Sequence, residues 1–266
     1  MLNKKRIGRL IPYPVIEGGR KVLNAGPRRC VVCGAAIRRF TDTGYGFKVL
    51  ERLQVVGGMR RMADQCPICH SSCRERLIWF WLTNGGGRFR FPASVRIAHF
   101  APEKGLTYRL KQAAPGGYRA YDFEPARYRH LSGVRQIDLS ALKIESDSVD
   151  LLVCNHVLEH VPDVELALSE IIRVLAPGGS AILQVPIALK MKDKIELPLD
   201  STAEQRIDLL GQDDHLRLFS EEAYLAVLRS AGLDVTLFDP FEFDDQRATD
   251  WMLDPLELLH VCRKPV

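Results

Sequence analysis

The chain has 266 residues, 46% hydrophobic positions and a formal net charge of +4, which suits one large α/β domain with a small appendage. No apolar run approaches the roughly 20 residues needed to span a bilayer, and no apolar stretch follows Lys4, Lys5 and Arg6 as a secretory signal requires. No membrane partner is expected; a cytoplasmic location is, and with it seven cysteines that act as reduced thiols or metal ligands.

Charge is divided unevenly. Residues 1–96 carry 19 Lys/Arg and 5 Asp/Glu, whereas residues 97–266 carry 18 and 28. This asymmetry suggests two parts with different partners. A basic N-terminal part can attract phosphate, nucleic acid or an acidic substrate. It can equally dock its basic face on the acidic domain.

Residues 1–27 contain Pro12, Pro14, Gly18, Gly19, Gly26 and Pro27 and read as an irregular N-terminal arm, a packing strap with a short strand near Val15. Residues 28–90 read as a zinc-ribbon-like module with an exit helix. Cys30-Val-Val-Cys33-Gly34 and Cys66-Pro67-Ile-Cys69-His70 each form a turn that aims two thiolates at one ion. Cys30, Cys33, Cys66 and Cys69 thus supply the closed tetrahedral set of a structural Zn2+ site, with Cys73 and His70 in reserve. Buried free cysteines or a redox dithiol are the alternatives. Between the turns, Phe47–Leu50 and Leu53–Val56 look β-like around a Gly57-Gly58 turn. Residues 72–82 read as the exit helix, with Trp79 and Trp81 packing the module on the larger domain. Gly85-Gly86-Gly87 reads as a linker.

Residues 91–266 read as an α/β domain. Val95–Phe100 and Tyr118–Phe123 are its first two strands, and Gln136–Leu139 ends the third. Val149–Cys154 is short, apolar and β-branched, a strand buried on both faces. Asp163 can cap the next helix, whose apolar positions Leu168, Ile171, Ile172 and Leu175 recur at helical spacing. Pro177-Gly178-Gly179 stops it before the strand Ser180–Val185. Ligands of such sheets bind beyond the carboxyl ends of the strands, so Asn155-His156-Val157-Leu158-Glu159-His160 should face one. Residues 187–214 read as an irregular insertion. Ser220 caps a last long helix, and Val235–Phe238 and Leu256–Cys262 close the sheet, with an acidic loop at Phe241–Asp250 between them.

From Asp147 to Pro186 the chain resembles the class I S-adenosylmethionine-dependent methyltransferases, in their small-molecule, type 11 branch; the likeness extends over roughly residues 94–262. It implies a Rossmann-like, seven-stranded methyltransferase sheet that binds S-adenosylmethionine. By position, it assigns to the cofactor the first loop with His99, Phe100, Ala101, Glu103 and Gly105. It assigns Asp122 and Phe123 at the second strand to the ribose, and Asp138 and Leu139 to the adenine. Asn155, His156 and His160 follow the fourth strand. The first loop departs from the family pattern, with Ala101 and Glu103 in place of two glycines. A segment such as 187–220 covers the substrate in this family. Within it, the His215-Leu-Arg217-Leu-Phe219-Ser220 pattern makes His215, together with His156, a candidate general base. The alternative is that His215 and Arg217 form a structural hydrogen-bonded pair.

The reading that follows is an enzyme that methylates a small-molecule acceptor on oxygen or nitrogen, such as a sugar or secondary metabolite. Asn155-His156-Val157-Leu158 is not the Asn/Asp-Pro-Pro-Tyr/Phe loop associated with nucleobase amines. Two rivals remain: an RNA methyltransferase whose basic zinc module binds RNA, and a non-catalytic methyltransferase-like binding protein whose cofactor loop has degenerated.

Overall fold

The computed structural model describes residues 19, 21–84, 91–92 and 94–266; the strand near Val15 and the Gly85-Gly86-Gly87 linker lie outside them. The strands of the central sheet, numbered along the chain, are β1 (Ile97–Phe100), β2 (Tyr118–Asp122), β3 (Val134–Gln136), β4 (Val149–Asn155), β5 (Leu175–Gln184), β6 (Asp234–Phe238) and β7 (Leu259–Arg263). The helices are α1 (Lys48–Leu53), α2 (Cys73–Asn84), α3 (Lys104–Ala113), α4 (Val164–Val174), α5 (Ala203–Leu210), α6 (Glu221–Ser230) and α7 (Pro240–Asp250).

The sheet is built around β4. Leu151, Leu152, Val153 and Cys154 have no solvent exposure, because successive side chains of a strand point to opposite faces and both faces here are covered. Leu152 and Cys154 join one core with Leu168 and Ile171 of α4 and Leu228 of α6. Leu151 and Val153 join the other with Leu77 and Phe80 of α2 and Leu106 and Leu110 of α3. The exit helix α2 is therefore one layer of the sandwich. Trp81 lies in that second core, and Trp79 receives the Arg109 guanidinium 5.6 Å from its ring centre.

The strand order is β3-β2-β1-β4-β5-β7-β6. β1 to β5 run parallel to their neighbours, and β7 is antiparallel to both β5 and β6. The order reverses between β1 and β4, which opens a crevice at their carboxyl ends where ligands of such sheets bind. This is the expected Rossmann-like methyltransferase sheet. Two expected helix starts are also present. Asp163 accepts the Leu166 N–H at the start of α4, and Ser220 accepts the Ala223 N–H at the start of α6.

Other elements differ from the sequence reading. Phe47–Leu50 is not β-like: residues 48–53 form α1, which buries Val49 and Leu50 beside Leu210 of α5. Its apolar spacing suits one helical face as well as a strand, and its packing partner lies far along the chain. Val55–Val56 is a strand, but it pairs with Ile187–Ala188, just after β5, not within the module. The expected acidic loop at Phe241–Asp250 is α7. Asp239 accepts the Phe241 and Glu242 N–H groups, and Pro240 sits in the first turn. The insertion at residues 187–214 holds α5, started by a Thr202/Gln205 capping box and stopped by Gly211. β3 ends at Gln136, and Asp138 forms an isolated bridge with Ala141. Among the described residues, no helix is long and apolar enough to cross a membrane.

Candidate functional site

The two cysteine turns are built alike. Gly34 N–H donates to the Cys30 carbonyl at 2.7 Å, and His70 N–H to the Cys66 carbonyl at 2.9 Å. Cys30 N–H donates to the Ala35 carbonyl and Cys66 N–H to the Ser71 carbonyl, at 3.0 and 2.9 Å. Gly34 and His70 both adopt positive φ, +73° and +62°. The Sγ atoms of Cys30 and Cys69 lie 3.8 Å apart, and those of Cys33 and Cys66 3.9 Å. A tetrahedron with Zn–S bonds of about 2.3 Å places its sulfurs about 3.8 Å apart, so the four thiols fit a structural zinc ion. The Ser71 hydroxyl lies 3.0 Å from Cys69 Sγ. Cys73 stands elsewhere and donates to Glu257 Oε2 at 2.6 Å; His70 is outside the group of four.

The module rests on the sheet at the carboxyl end of β1, against the first turn of α3. Gly105, in the first turn of α3, is needed there for packing. A Cβ on it would lie 3.1 Å from Val32 Cγ1, 3.2 Å from Cys69 Sγ and 3.3 Å from Ser71 Cβ. The Arg109 guanidinium donates to the Val31 and Val32 carbonyls. Part of the basic charge is spent on docking. Arg61 pairs with Asp254 at 2.9 Å, and the buried Arg76 donates to the Trp251 and Met252 carbonyls after α7.

At the end of β1, Ala101 keeps a glycine-like backbone, φ +48°, at a cost of about 1 kcal/mol for its Cβ. His99 is fully buried, and both its ring nitrogens are engaged, with the Tyr118 hydroxyl at 2.9 Å and Glu103 Oε2 at 2.7 Å. Asn155 Nδ2 donates to Glu103 Oε1 at 2.8 Å. The relay Tyr118–His99–Glu103–Asn155 thus joins the ends of β1 and β4. Burial opposes the charge on Glu103. The hydrogen bond from His99, together with the charges of His99 and Arg74, outweighs it and holds the carboxyl below its usual range. Asn155 Oδ1 is buried without a partner among the described residues. Phe100 is core, stacked on Tyr121. Asp122 Oδ1 accepts the Glu124 N–H and Asp138 Oδ1 the Ser140 N–H. Phe123 is exposed, Leu139 is buried, and Ile137 N–H donates to the Asp122 carbonyl. The Asp122 and Asp138 loops therefore lie side by side.

Just beyond Asn155, His156 takes φ +52° and lies under the module's Gly57. A Cβ on Gly57 would come within 2.9 Å of His156 Cε1. His156, His160 and His215 surround Glu159, which is fully buried. Arg217 is not paired with His215. It donates to the Leu158, Val161 and Pro162 carbonyls and pairs with Glu196, pinning the loop after β4. Burial drives the His215 ring down to about 3 and the Glu159 carboxyl up to about 7. His215 is therefore neutral at pH 7, while Glu159 is close to half-ionised there. The sequence named His156, His160 and His215 as site residues, but nothing in it marked Glu159 as their centre. Nor did it show that Arg74 acts on Glu103 or that Gly57 roofs His156.

A family model described as "Methyltransferase domain" matches residues 115–183. It covers β2 to β5 and begins beyond the loop with the substituted glycines. A Mycobacteroides abscessus protein, named an uncharacterized methyltransferase, is 36% identical over 81 residues, 30% of this chain and 29% of that relative. The chain therefore matches less than a third of the relative's length. Among solved structures, an S-adenosylmethionine-dependent methyltransferase from Mesorhizobium loti is similar at 17% identity and TM-score 0.41, over 65% of this chain and 93% of that one. The CurJ carbon methyltransferase is similar at 14% identity and TM-score 0.48, over 72% and 54%. The match over residues 115–183 and the strand order β3-β2-β1-β4-β5-β7-β6 agree with the class I S-adenosylmethionine-dependent methyltransferase resemblance carried by residues 147–186.

Proposed function

We propose that the protein transfers a methyl group from S-adenosylmethionine to a small, polar acceptor, and that the cysteine set holds a structural Zn2+. The observation that carries this reading is the run of hydrogen-bond acceptors along the carboxyl ends of β1 to β4. The cofactor presents a sulfonium, an ammonium, two ribose hydroxyls and an adenine amine, all cationic or donating. Opposite them stand the ionised Glu103, the unpartnered Asn155 Oδ1, and the carboxylates of Asp122 and Asp138. Bound there, the cofactor supplies an electrophilic methyl group. An acceptor lone pair bonds to the methyl carbon, the C–S bond breaks, and the acceptor's proton must leave.

His156, His215 and Glu159 stand where that proton would go, in a water-poor site that favours in-line displacement. Gly57 borders His156 and also a polar cavity of about 370 Å3 within the module, lined by Thr43, Tyr45, Arg61 and Arg74 and reached by Glu257 from the domain. This cavity suits a hydrogen-bonding acceptor. The test is calorimetric titration of zinc-loaded protein with S-adenosylmethionine and S-adenosylhomocysteine. Micromolar binding that weakens at least about tenfold in Asp122→Ala supports the reading, since one charge-assisted hydrogen bond contributes roughly 1.5–3 kcal/mol. Absence of binding to the folded protein overturns it.

A second acceptor class, RNA, draws on Arg29, Arg38 and Arg39, which are exposed; Arg28, also exposed, donates to Met252 Sδ of the larger domain. RNA binding that falls steeply with salt would favour it.

A further inference from the structure

Four side chains converge between the loop after β4 and the segment at residues 215–219 without satisfying one another. Glu159 Oε1 lies 3.4 Å from His156 Nδ1, 4.0 Å from His160 Nε2 and 3.9 Å from His215 Nε2. Glu159 is 1% exposed and His215 2%. Both Glu159 carboxylate oxygens and His215 Nδ1 lack any hydrogen-bond partner among the described residues. A native interior seldom leaves such groups without a partner. We propose that Glu159, His160 and His215 bind a divalent transition-metal ion, distinct from the ion assigned to the cysteines, with His156 at its margin.

Geometry favours an ion over a hydrogen bond. One ligating atom from each of the three residues lies within 4.8 Å of the others. A tetrahedron with Zn–N and Zn–O bonds of about 2.1 Å places its ligand atoms about 3.4 Å apart, so the two imidazoles must each close on Glu159 by roughly half an ångström and draw together by up to about 1.4 Å when the ion binds. The His160 tautomer is already set for it. Its Nδ1 lies 3.1 Å from the Asp214 carbonyl, and a carbonyl can only accept, so Nδ1 carries the proton. The Nε2 lone pair then faces Glu159, the arrangement in which a backbone carbonyl orients a metal-binding histidine. Leu216 N–H donates to the Glu159 carbonyl at 2.9 Å, so the His215 segment is fastened to the same turn.

Two imidazoles and one carboxylate suit zinc, iron(II), cobalt(II) or manganese(II) better than magnesium or calcium, which prefer all-oxygen sets. Three protein ligands leave open positions, and His160, 31% exposed, marks the side from which they are reached. What the ion does there rests on the methyltransferase reading. It would take the acceptor's oxygen and lower its pKa, and with Glu159 and His215 ligated the proton would pass to His156 at the margin. Binding of the ion itself does not depend on that reading.

The test loads the metal-free full chain with Co2+ alone and follows stoichiometry and absorption. We expect two equivalents. One gives the thiolate-to-cobalt charge-transfer band of a four-cysteine site. The other adds only weak visible bands of nitrogen and oxygen ligation. Glu159→Gln, which keeps shape, and His160→Ala, at the exposed edge, should each weaken the second equivalent more than about 100-fold, beyond the loss of an outer-shell partner. Both variants should keep the thiolate band, and far-ultraviolet circular dichroism with a cooperative thermal transition reports that the domain around Glu159 still folds. A single equivalent with thiolate signature only, or a second equivalent indifferent to both variants, overturns the proposal. Neither readout involves S-adenosylmethionine, so failure here and failure of cofactor binding are separate results.

Discussion

The cysteine cluster and the Glu159 cluster are two convergences of polar side chains, built in opposite ways. The cysteines sit in two turns whose hydrogen bonds are made within six residues of each first cysteine. Glu159, His160 and His215 meet only because Arg217 and Leu216 tie a distant segment to the loop after β4. A site made by local turns can be read from spacing; a site made by tertiary fastening cannot. The two should also fail differently when broken.

The largest effect is expected at the cysteines. Cys30→Ser or Cys66→Ser removes one of four ligands, and structural zinc free energy is folding free energy. The turns bear directly on Gly105 and α3, so the damage should reach the cofactor edge. We expect loss of several kcal/mol, a Tm drop of about 10 °C or more, and loss of S-adenosylmethionine binding. Thermal unfolding with zinc analysis checks this. A variant that keeps its Tm and cofactor affinity would show the module to be a separate appendage.

Arg217→Ala should come next. It removes three charge-assisted hydrogen bonds to buried carbonyls, while the half-exposed Glu196 keeps its pair with Lys194. Loss of a buried charge of this kind costs roughly 3 kcal/mol. The cysteine site should keep its zinc while the Glu159 cluster loosens. Urea unfolding with zinc analysis checks this. Equal loss of zinc would mean that the two regions do not break independently.

Much of this was legible in the sequence. The turns around Cys30 and Cys66 announced themselves by spacing, and β4 and α4 by an apolar run and a capping Asp163; α4 ends at Val174, and Pro177-Gly178-Gly179, expected as its stop, lies within β5 at a register shift. The illegible parts depend on partners remote in the chain. Val55–Val56 looked like half of a local hairpin but pairs with Ile187–Ala188. Residues 241–250 looked like a loop because acidic side chains obscured the helical pattern, although Asp239 and Pro240 were a sound helix start. Gly105 resembled a cofactor glycine, yet its missing Cβ also makes room for Val32, Cys69 and Ser71. Glu159 was legible only as one residue of a loop that should face a ligand; its burial among three histidines is produced by the fold.

Gly57→Ala tests the contact that joins the two regions. Gly57 has φ +83°, and a Cβ there would meet His156 Cε1 at 2.9 Å. The backbone strain and the displaced ring together should cost about 1–2 kcal/mol. Zinc and cofactor affinity should stay near wild type while transfer to the acceptor slows. Stability, titration and turnover measured on one preparation separate these. Unchanged turnover would mean that His156 tolerates movement and that the roof is packing only.

The smallest effect is expected from Glu103, and its sign is informative. Its carboxyl is held below the usual 4.5 in the folded chain, against the cost of burial, mainly by His99. Its contribution is therefore fully present above the unfolded value and is lost as pH falls through the lower folded value. Glu103→Gln, which can still hydrogen-bond Asn155 and His99, should lower stability modestly at neutral pH and make the acid limb shallower below about pH 4.5, so that variant and wild type converge in acid. The same variant should weaken S-adenosylmethionine binding at pH 7, because a neutral amide faces a cationic cofactor. Unfolding curves from about pH 3.5 to 7 with titration at pH 7 would show both. A shallower acid limb with unaltered affinity would make Glu103 a strut between β1 and β4, and the charge complementarity to the cofactor would then rest on Asp122 and Asp138.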